Sequence, residues 1–132
     1  KAQSLYNTPS TFSIYMVRLV TDWMLEQGGV PAIQKLNETK AAKLYAAIDE
    51  SGFFRGTCAK ADRSKMNVCF RIGEGNEELE KKFVSESKAA GMIGLKGHRA
   101  VGGLRASIYN AMPMAGIDAL VAFMKAFAAK NG

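Results

Sequence analysis

The chain has 132 residues, of which 48% are hydrophobic and 23% are charged, a composition typical of one globular domain. It has no apolar run of the roughly eighteen residues that a membrane-spanning helix needs, so no membrane-spanning helix is expected in it. The net charge of +6 favours an anionic partner such as a phosphorylated small molecule or nucleic acid, or else a solvated surface with a positive bias.

The first part of the chain predicts two helices. Apolar residues recur at helical spacing from Thr11 to Gln27, and two glycines follow. Pro31 is expected to begin a second helix that extends to about Asp49. Because the connection is so short, we expect the two helices to pack as a hairpin. The apolar face of the first helix is formed by Phe12, Tyr15, Met16, Leu19, Val20, Trp23 and Met24.

The hydrophobic period then changes from that of a helix to that of a strand. Apolar and polar residues alternate from Met66 to Ile72, which predicts a half-buried strand. Phe53 and Phe54 are expected to begin a partner strand. Asn76 is a suitable cap for a third helix, and three glutamates follow it where a helix dipole favours negative charge. This helix is expected to reach Ala90.

The last part of the chain predicts two strands, at 93–95 and 104–109, and a closing helix from Ala115 to Lys130. A basic, glycine-rich loop at 96–103 connects the strands. The expected fold class is α+β, with a small antiparallel-rich sheet packed against helices.

The loop and the strand after it carry the residues best suited to bind an anion. Lys96, His98, Arg99 and Arg105 lie within ten residues of one another, and arginine can hold a carboxylate or phosphate with two hydrogen bonds. The alternation on the last strand places Arg105 opposite the apolar face. Spacing alone leaves two interpretations open, an anion site or a hairpin with a solvated basic tip. The loop lacks the aromatic residues that would stack on bases, so nucleic-acid binding is not expected.

A second candidate is the polar segment from Tyr6 to Thr11, which precedes the first helix. Its side chains could contact an anion at the helix start or could simply cap the helix. The two cysteines, Cys58 and Cys69, form no metal-binding motif, so no metal site is expected and a reducing compartment is the default. We find no pattern of residues typical of a catalytic centre within the chain.

Four segments resemble one enzyme family in order and spacing: YNTPSTFSIYM at 6–16, GGV at 28–30, DRSKMNVCF at 62–70 and LKGHRAVGGLRASIYNAMP at 95–113. Together they resemble the C-terminal portion of the phosphoserine aminotransferases, which are class V, fold-type I enzymes dependent on pyridoxal 5'-phosphate (PLP). The family often has proline at the positions of Ser10 and Cys69, neither of which carries chemistry.

The resemblance implies a cytoplasmic homodimer that reversibly transfers an amino group between 3-phosphoserine and 2-oxoglutarate, giving 3-phosphohydroxypyruvate and glutamate, in serine biosynthesis. Asn7 and Thr8 match family residues that contact the phosphate of the neighbouring subunit's PLP. Arg105 matches the arginine that binds the substrate α-carboxylate. His98 and Arg99 match residues that contact the substrate phosphate.

The resemblance also implies that residues 1–132 form one small C-terminal domain with its leading interdomain helix. The family's Schiff-base lysine belongs to a large domain that this sequence does not include, so the isolated chain is expected to be inactive. A stand-alone anion-binding or regulatory α+β module is the alternative interpretation.

Overall fold

The computed structural model describes residues 6–132, which form four α-helices, three β-strands and one short 3-10 turn at Lys60–Asp62. The chain divides into two compact units between Lys35 and Leu36. Within residues 6–132, no helix is long and apolar enough to cross a membrane. In chain order the main elements are α1 (Thr11–Glu26), α2 (Gly29–Asp49), β1 (Phe54–Gly56), β2 (Asn67–Ile72), α3 (Glu77–Ala89), β3 (Leu104–Ser107) and α4 (Met114–Asn131).

The three strands form one antiparallel sheet in the order β1-β2-β3, which confirms the predicted α+β class. Phe54 pairs with Ile72 at one edge, and Cys69 pairs with Arg105 at the other. Buried and half-buried residues alternate along β2, as its sequence pattern predicts. Leu104 and Ala106 are buried on the same face of the sheet as the apolar residues of β2.

One continuous hydrophobic core lies between this face of the sheet and helices α2, α3 and α4. Leu44 and Ile48 of α2 are fully buried in it. Phe83 of α3 lies at its centre, also fully buried, with four phenylalanine rings around it at centroid distances of 5.1 to 6.1 Å. The opposite face of the sheet is left for polar and charged side chains.

The strand predicted at 93–95 is wrong. Only an isolated bridge between Lys96 and Leu104 forms there, together with a hydrogen bond from the Arg105 amide to the Leu95 carbonyl. Gly94 has a φ angle of +79°, which takes the backbone out of the extended region. Ile93 is 79% exposed, so it contributes no apolar side chain to a sheet.

Helix α1 starts at the predicted residue and is capped by Ser10, whose Oγ accepts a hydrogen bond from the Ser13 amide at 3.4 Å. None of its sixteen residues is buried, and Phe12 is 74% exposed. The helical period was therefore predicted correctly, but the apolar face is not part of the core. The hairpin of α1 and α2 stays a prediction.

Candidate anion-binding site

The basic loop at 96–103 is the tip of a hairpin closed by backbone hydrogen bonds. The Gly97 amide donates to the Gly103 carbonyl at 2.8 Å. The His98 carbonyl accepts from the amides of Val101 at 2.9 Å and Gly102 at 2.8 Å. Because one carbonyl holds both amides, the tip is a compact turn that presents His98 and its neighbour Arg99 side by side.

The hydrogen bonds of His98 determine which ring nitrogen is available to a ligand. The Ala100 amide donates to Nδ1 of His98 at 3.2 Å. In the neutral ring Nδ1 is therefore the acceptor, and the proton is on Nε2. His98 can thus donate from Nε2 to an anion while its other nitrogen stabilises the loop.

The loop forms one wall of a cavity of about 570 Å³. Helix α3 and Arg71 of β2 provide the rest of the lining, including Glu77, Glu80 and Lys81. Both His98 and Arg99 line this cavity, but Arg105 does not.

Arg71 is held at the base of the loop by a bidentate ion pair. Its Nε and Nη2 lie 2.7 and 3.1 Å from the two carboxylate oxygens of Glu80, which also accepts from the Ile72 amide at 3.2 Å. Glu80 raises the pKa of Arg71, so this guanidinium is charged and already paired. The lining therefore offers Lys96, His98 and Arg99, rather than Arg71, to a negative ligand.

Arg105 projects from the half-buried face of β3, as the alternation predicts. Its cross-strand partner is Cys69, and Arg71 lies two residues further along β2 on the same face. Burial raises the pKa of the Cys69 thiol, while the charge of Arg105 opposes that rise, so Cys69 is a neutral neighbour.

The Nε atom of Arg105 is buried and has no hydrogen-bond partner within residues 6–132. A buried N–H without an acceptor is costly, at roughly 1–3 kcal/mol. An anionic group that reached this face of the sheet would relieve that cost. The carboxylate of a small molecule is a suitable acceptor because it can contact two nitrogens of one guanidinium.

Asn7 and Thr8 are exposed and lie just before α1. Ser10 caps the helix, so capping does not account for the polar side chains of Asn7 and Thr8. Their amide and hydroxyl groups would fit the phosphate of a cofactor such as PLP.

Two buried polar residues on α2, Asn37 and Lys40, were not predicted from the sequence. Both contact the segment that follows β3: Asn37 Nδ2 donates to Asn110 Oδ1 at 2.8 Å, and Lys40 donates to backbone carbonyls. The helical period could have found them, because both lie at the spacing of the buried residues Ile33, Ala41 and Leu44.

The fold and the basic site define an α+β domain with a candidate anion-binding site, and the comparisons with known proteins specify its family. The model of the aminotransferase class-V family matches residues 1–120, so the chain belongs to this family. The phosphoserine aminotransferase of Herpetosiphon aurantiacus is 55% identical over 133 residues, which cover 100% of this chain and 36% of that protein. That of Bacillus subtilis is 54% identical over 132 residues, covering 99% of this chain and 36% of that protein.

Solved structures show the same likeness. The phosphoserine aminotransferase from Bacillus circulans subsp. alkalophilus matches with a TM-score of 0.91 and 52% identity, over 96% of this chain and 35% of that one. The PLP-bound enzyme from Trichomonas vaginalis matches with a TM-score of 0.86 and 43% identity, over 92% of this chain and 34% of that one. The chain thus spans about a third of the length of these relatives.

Proposed function

We propose that this chain is the small, substrate-binding domain, with its leading helix, of a PLP-dependent phosphoserine aminotransferase. The reaction is the reversible transfer of an amino group between 3-phosphoserine and 2-oxoglutarate, which gives 3-phosphohydroxypyruvate and glutamate. The proposal includes a cytoplasmic homodimer that serves serine biosynthesis. Relatives of that name, more than 50% identical over nearly all of this chain, support it.

The buried, unpaired Nε of Arg105 is the observation that carries the proposal. All four substrates have an α-carboxylate, so a residue that binds this group must serve every half-reaction. Arg105 comes from a strand that is hydrogen-bonded to β2 rather than from the loop tip, which suits a contact common to all substrates.

His98 and Arg99 are proposed to bind the group that differs between substrates. Phosphate has more charge and more acceptor oxygens than the distal carboxylate of glutamate. The Nε2 proton of His98 and the guanidinium of Arg99 come from one tight turn and can contact different oxygens of one phosphate. The two residues would thus discriminate phosphoserine from glutamate.

Asn7 and Thr8 are proposed to contact the PLP phosphate in the neighbouring subunit. PLP supplies the electron sink that makes amino-group transfer possible, and this chain supplies contacts that hold the cofactor and orient the substrate. A protein limited to these 132 residues is expected to show no turnover.

Substitution of the two arginines tests the division of labour in a longer protein that contains this chain and shows aminotransferase activity. Arg105→Lys keeps the charge but loses the two-pronged contact, so it should slow both half-reactions roughly tenfold or more. Arg99→Ala should slow the half-reaction with phosphoserine more than that with glutamate. Single-turnover measurements of PLP absorbance would resolve the two half-reactions. If Arg105→Lys spares either substrate, or if Arg99→Ala affects both equally, the assignment is wrong.

Thr8→Ala tests the cofactor contact, with Ser10→Ala as its matched control. Loss of the Thr8 hydroxyl should weaken PLP affinity about tenfold or more, because hydrogen bonds to a charged group contribute about 1.5–3 kcal/mol. Ser10→Ala removes the helix cap and should lower stability by about 1 kcal/mol with little change in PLP affinity. Equilibrium titration with PLP measures the affinity of each variant for the cofactor. Equal affinities for the two variants would reject the role of Thr8.

A further inference from the structure

Lys40 is a fully buried lysine whose ammonium group is surrounded by backbone carbonyls. Its relative exposure is 0%. Its Nζ lies 2.7 Å from the Tyr109 carbonyl oxygen, 3.2 Å from that of Met112, 3.3 Å from that of Ile108 and 3.4 Å from that of Asn110. All four oxygens belong to one five-residue segment that follows β3.

This arrangement differs from that of an ordinary buried ion pair. No carboxylate contacts Nζ among residues 6–132 of the structure, so carbonyl dipoles alone compensate the charge. An ammonium has three protons, and here it has four acceptors. Burial lowers the pKa of Lys40, whereas the four oxygens favour its charged form. Several carbonyl oxygens that converge on one point are also how proteins bind monovalent cations.

The segment held by Lys40 continues the strand that carries Arg105. The Ile108 amide donates to the Met66 carbonyl at 2.9 Å, which extends the pairing beyond β3. Asn67 Oδ1 accepts hydrogen bonds from Ser107 Oγ at 3.0 Å and from the Tyr109 hydroxyl at 3.3 Å. Helix α4 begins at Met114, shortly after this segment.

Without a cation, the partial negative charges of the four carbonyls would meet at a buried point with nothing to offset them. The backbone would then be expected to turn these carbonyls towards water and to loosen the end of β3. Asn37, one turn earlier on α2, donates to the Asn110 side chain but has no charge, so it cannot replace the ammonium.

We propose that residues 108–112 form a cation site in which the ammonium of Lys40 is the resident ion, and that Lys40 thereby positions the strand end beyond Arg105. The site is selective for a primary ammonium group, since three N–H donors are shared among the carbonyls. The consequence for substrate binding rests on the function proposed for Arg105, whereas the cation site itself does not.

Chemical rescue tests the site in the 132-residue chain. Lys40→Ala removes the side chain beyond Cβ, and n-propylammonium has the missing three carbons and the ammonium. Its chloride should raise the urea midpoint of Lys40→Ala in a saturable way and leave the native chain unchanged. At ten times its dissociation constant it should increase the folding equilibrium constant about elevenfold. Propan-1-ol and sodium chloride, as controls for shape and ionic strength, should have no such effect.

Lys40→Met provides a second variant, which keeps an unbranched side chain that is one atom shorter and lacks the charge. It should fold less stably than the native chain, and the amides of Ile108 and Met112, which donate to the Met66 and Tyr109 carbonyls, should exchange faster with solvent. If propan-1-ol rescues Lys40→Ala as well as the amine does, or if Lys40→Met is as stable as the native chain, the cation site is rejected. If Lys40→Ala does not fold, the comparison of Lys40→Met with the native chain decides alone.

The positioning role has its own measurement, the ¹⁵N–¹H resonance of Arg105 Nε. It should move in Lys40→Ala and return when n-propylammonium is added. A resonance that stays in place while the amine restores stability would show that Lys40 is only structural. If n-propylammonium restores stability but Arg105 proves irrelevant to substrate binding, the proposed function is rejected and the cation site is retained.

Discussion

Gly103 lies where the loop, the sheet and the Arg71–Glu80 ion pair meet. The substitution Gly103→Ala therefore tests how tightly these three parts are packed. A Cβ atom added at this position would lie 2.6 Å from Arg71 Cδ and 3.1 Å from the Phe70 carbonyl oxygen. Both distances are shorter than an ordinary van der Waals contact. The φ angle of Gly103 is +71°, which adds backbone strain for any residue with a side chain.

Gly102 is a matched control because it shares the strain without the collision. Its φ angle is +74°, and an added Cβ would have nothing within 4 Å. Gly102→Ala should therefore lower the free energy of unfolding by about 1–2 kcal/mol, the cost of the left-handed conformation alone. Gly103→Ala should lose about 1–3 kcal/mol more, as expected for overpacking in a site that cannot relax freely.

Arg71 cannot move aside easily, because its Nε and Nη2 both bind Glu80. Urea denaturation of the two variants, followed by far-ultraviolet circular dichroism, measures the difference in their free energies of unfolding. Arg71→Ala should be less damaging in the Gly103→Ala background than in the native chain, since it removes the group that the new methyl meets. Equal losses for Gly102→Ala and Gly103→Ala would refute the packing argument.

Two further predictions concern the stability of the chain. Phe83→Ala should lower the free energy of unfolding by about 3–5 kcal/mol because the ring is fully buried among four others. Phe83→Leu should lower it by less. Equal melting temperatures for the two variants in calorimetry would contradict this prediction. A hydrogen-bonded ion pair with Arg63 lowers the pKa of Asp49 below its ordinary value of 3.8, so its stabilisation is present above about pH 4 and is lost as the pH falls through the lowered pKa. Asp49→Asn should therefore be less stable by up to about 1 kcal/mol at pH 7, and a urea series in which this difference does not shrink in acid would contradict the prediction.

Short-range patterns predicted most of the elements. The cap at Asn76 and the alternation in β2 depend on residues within a few positions of one another, so they can be read directly from the sequence. The strand predicted at 93–95 was wrong because the positive φ angle of Gly94 outweighs three apolar neighbours. A single glycine can therefore make a short-range pattern predict the wrong element, because its conformation depends on the surrounding structure.

The sequence by itself determined the family, the α+β class and the face of β3 on which Arg105 lies. Family motifs and the alternation of polar and apolar residues along a strand are local patterns. They can be recognised without knowing which elements pack together. Only the tertiary structure decided that Lys40 binds carbonyls about 70 residues away and that Arg71 is already paired with Glu80. A basic residue has the same appearance in the sequence whether it contacts solvent, a ligand or a buried backbone, because its partners come from segments that only folding brings together.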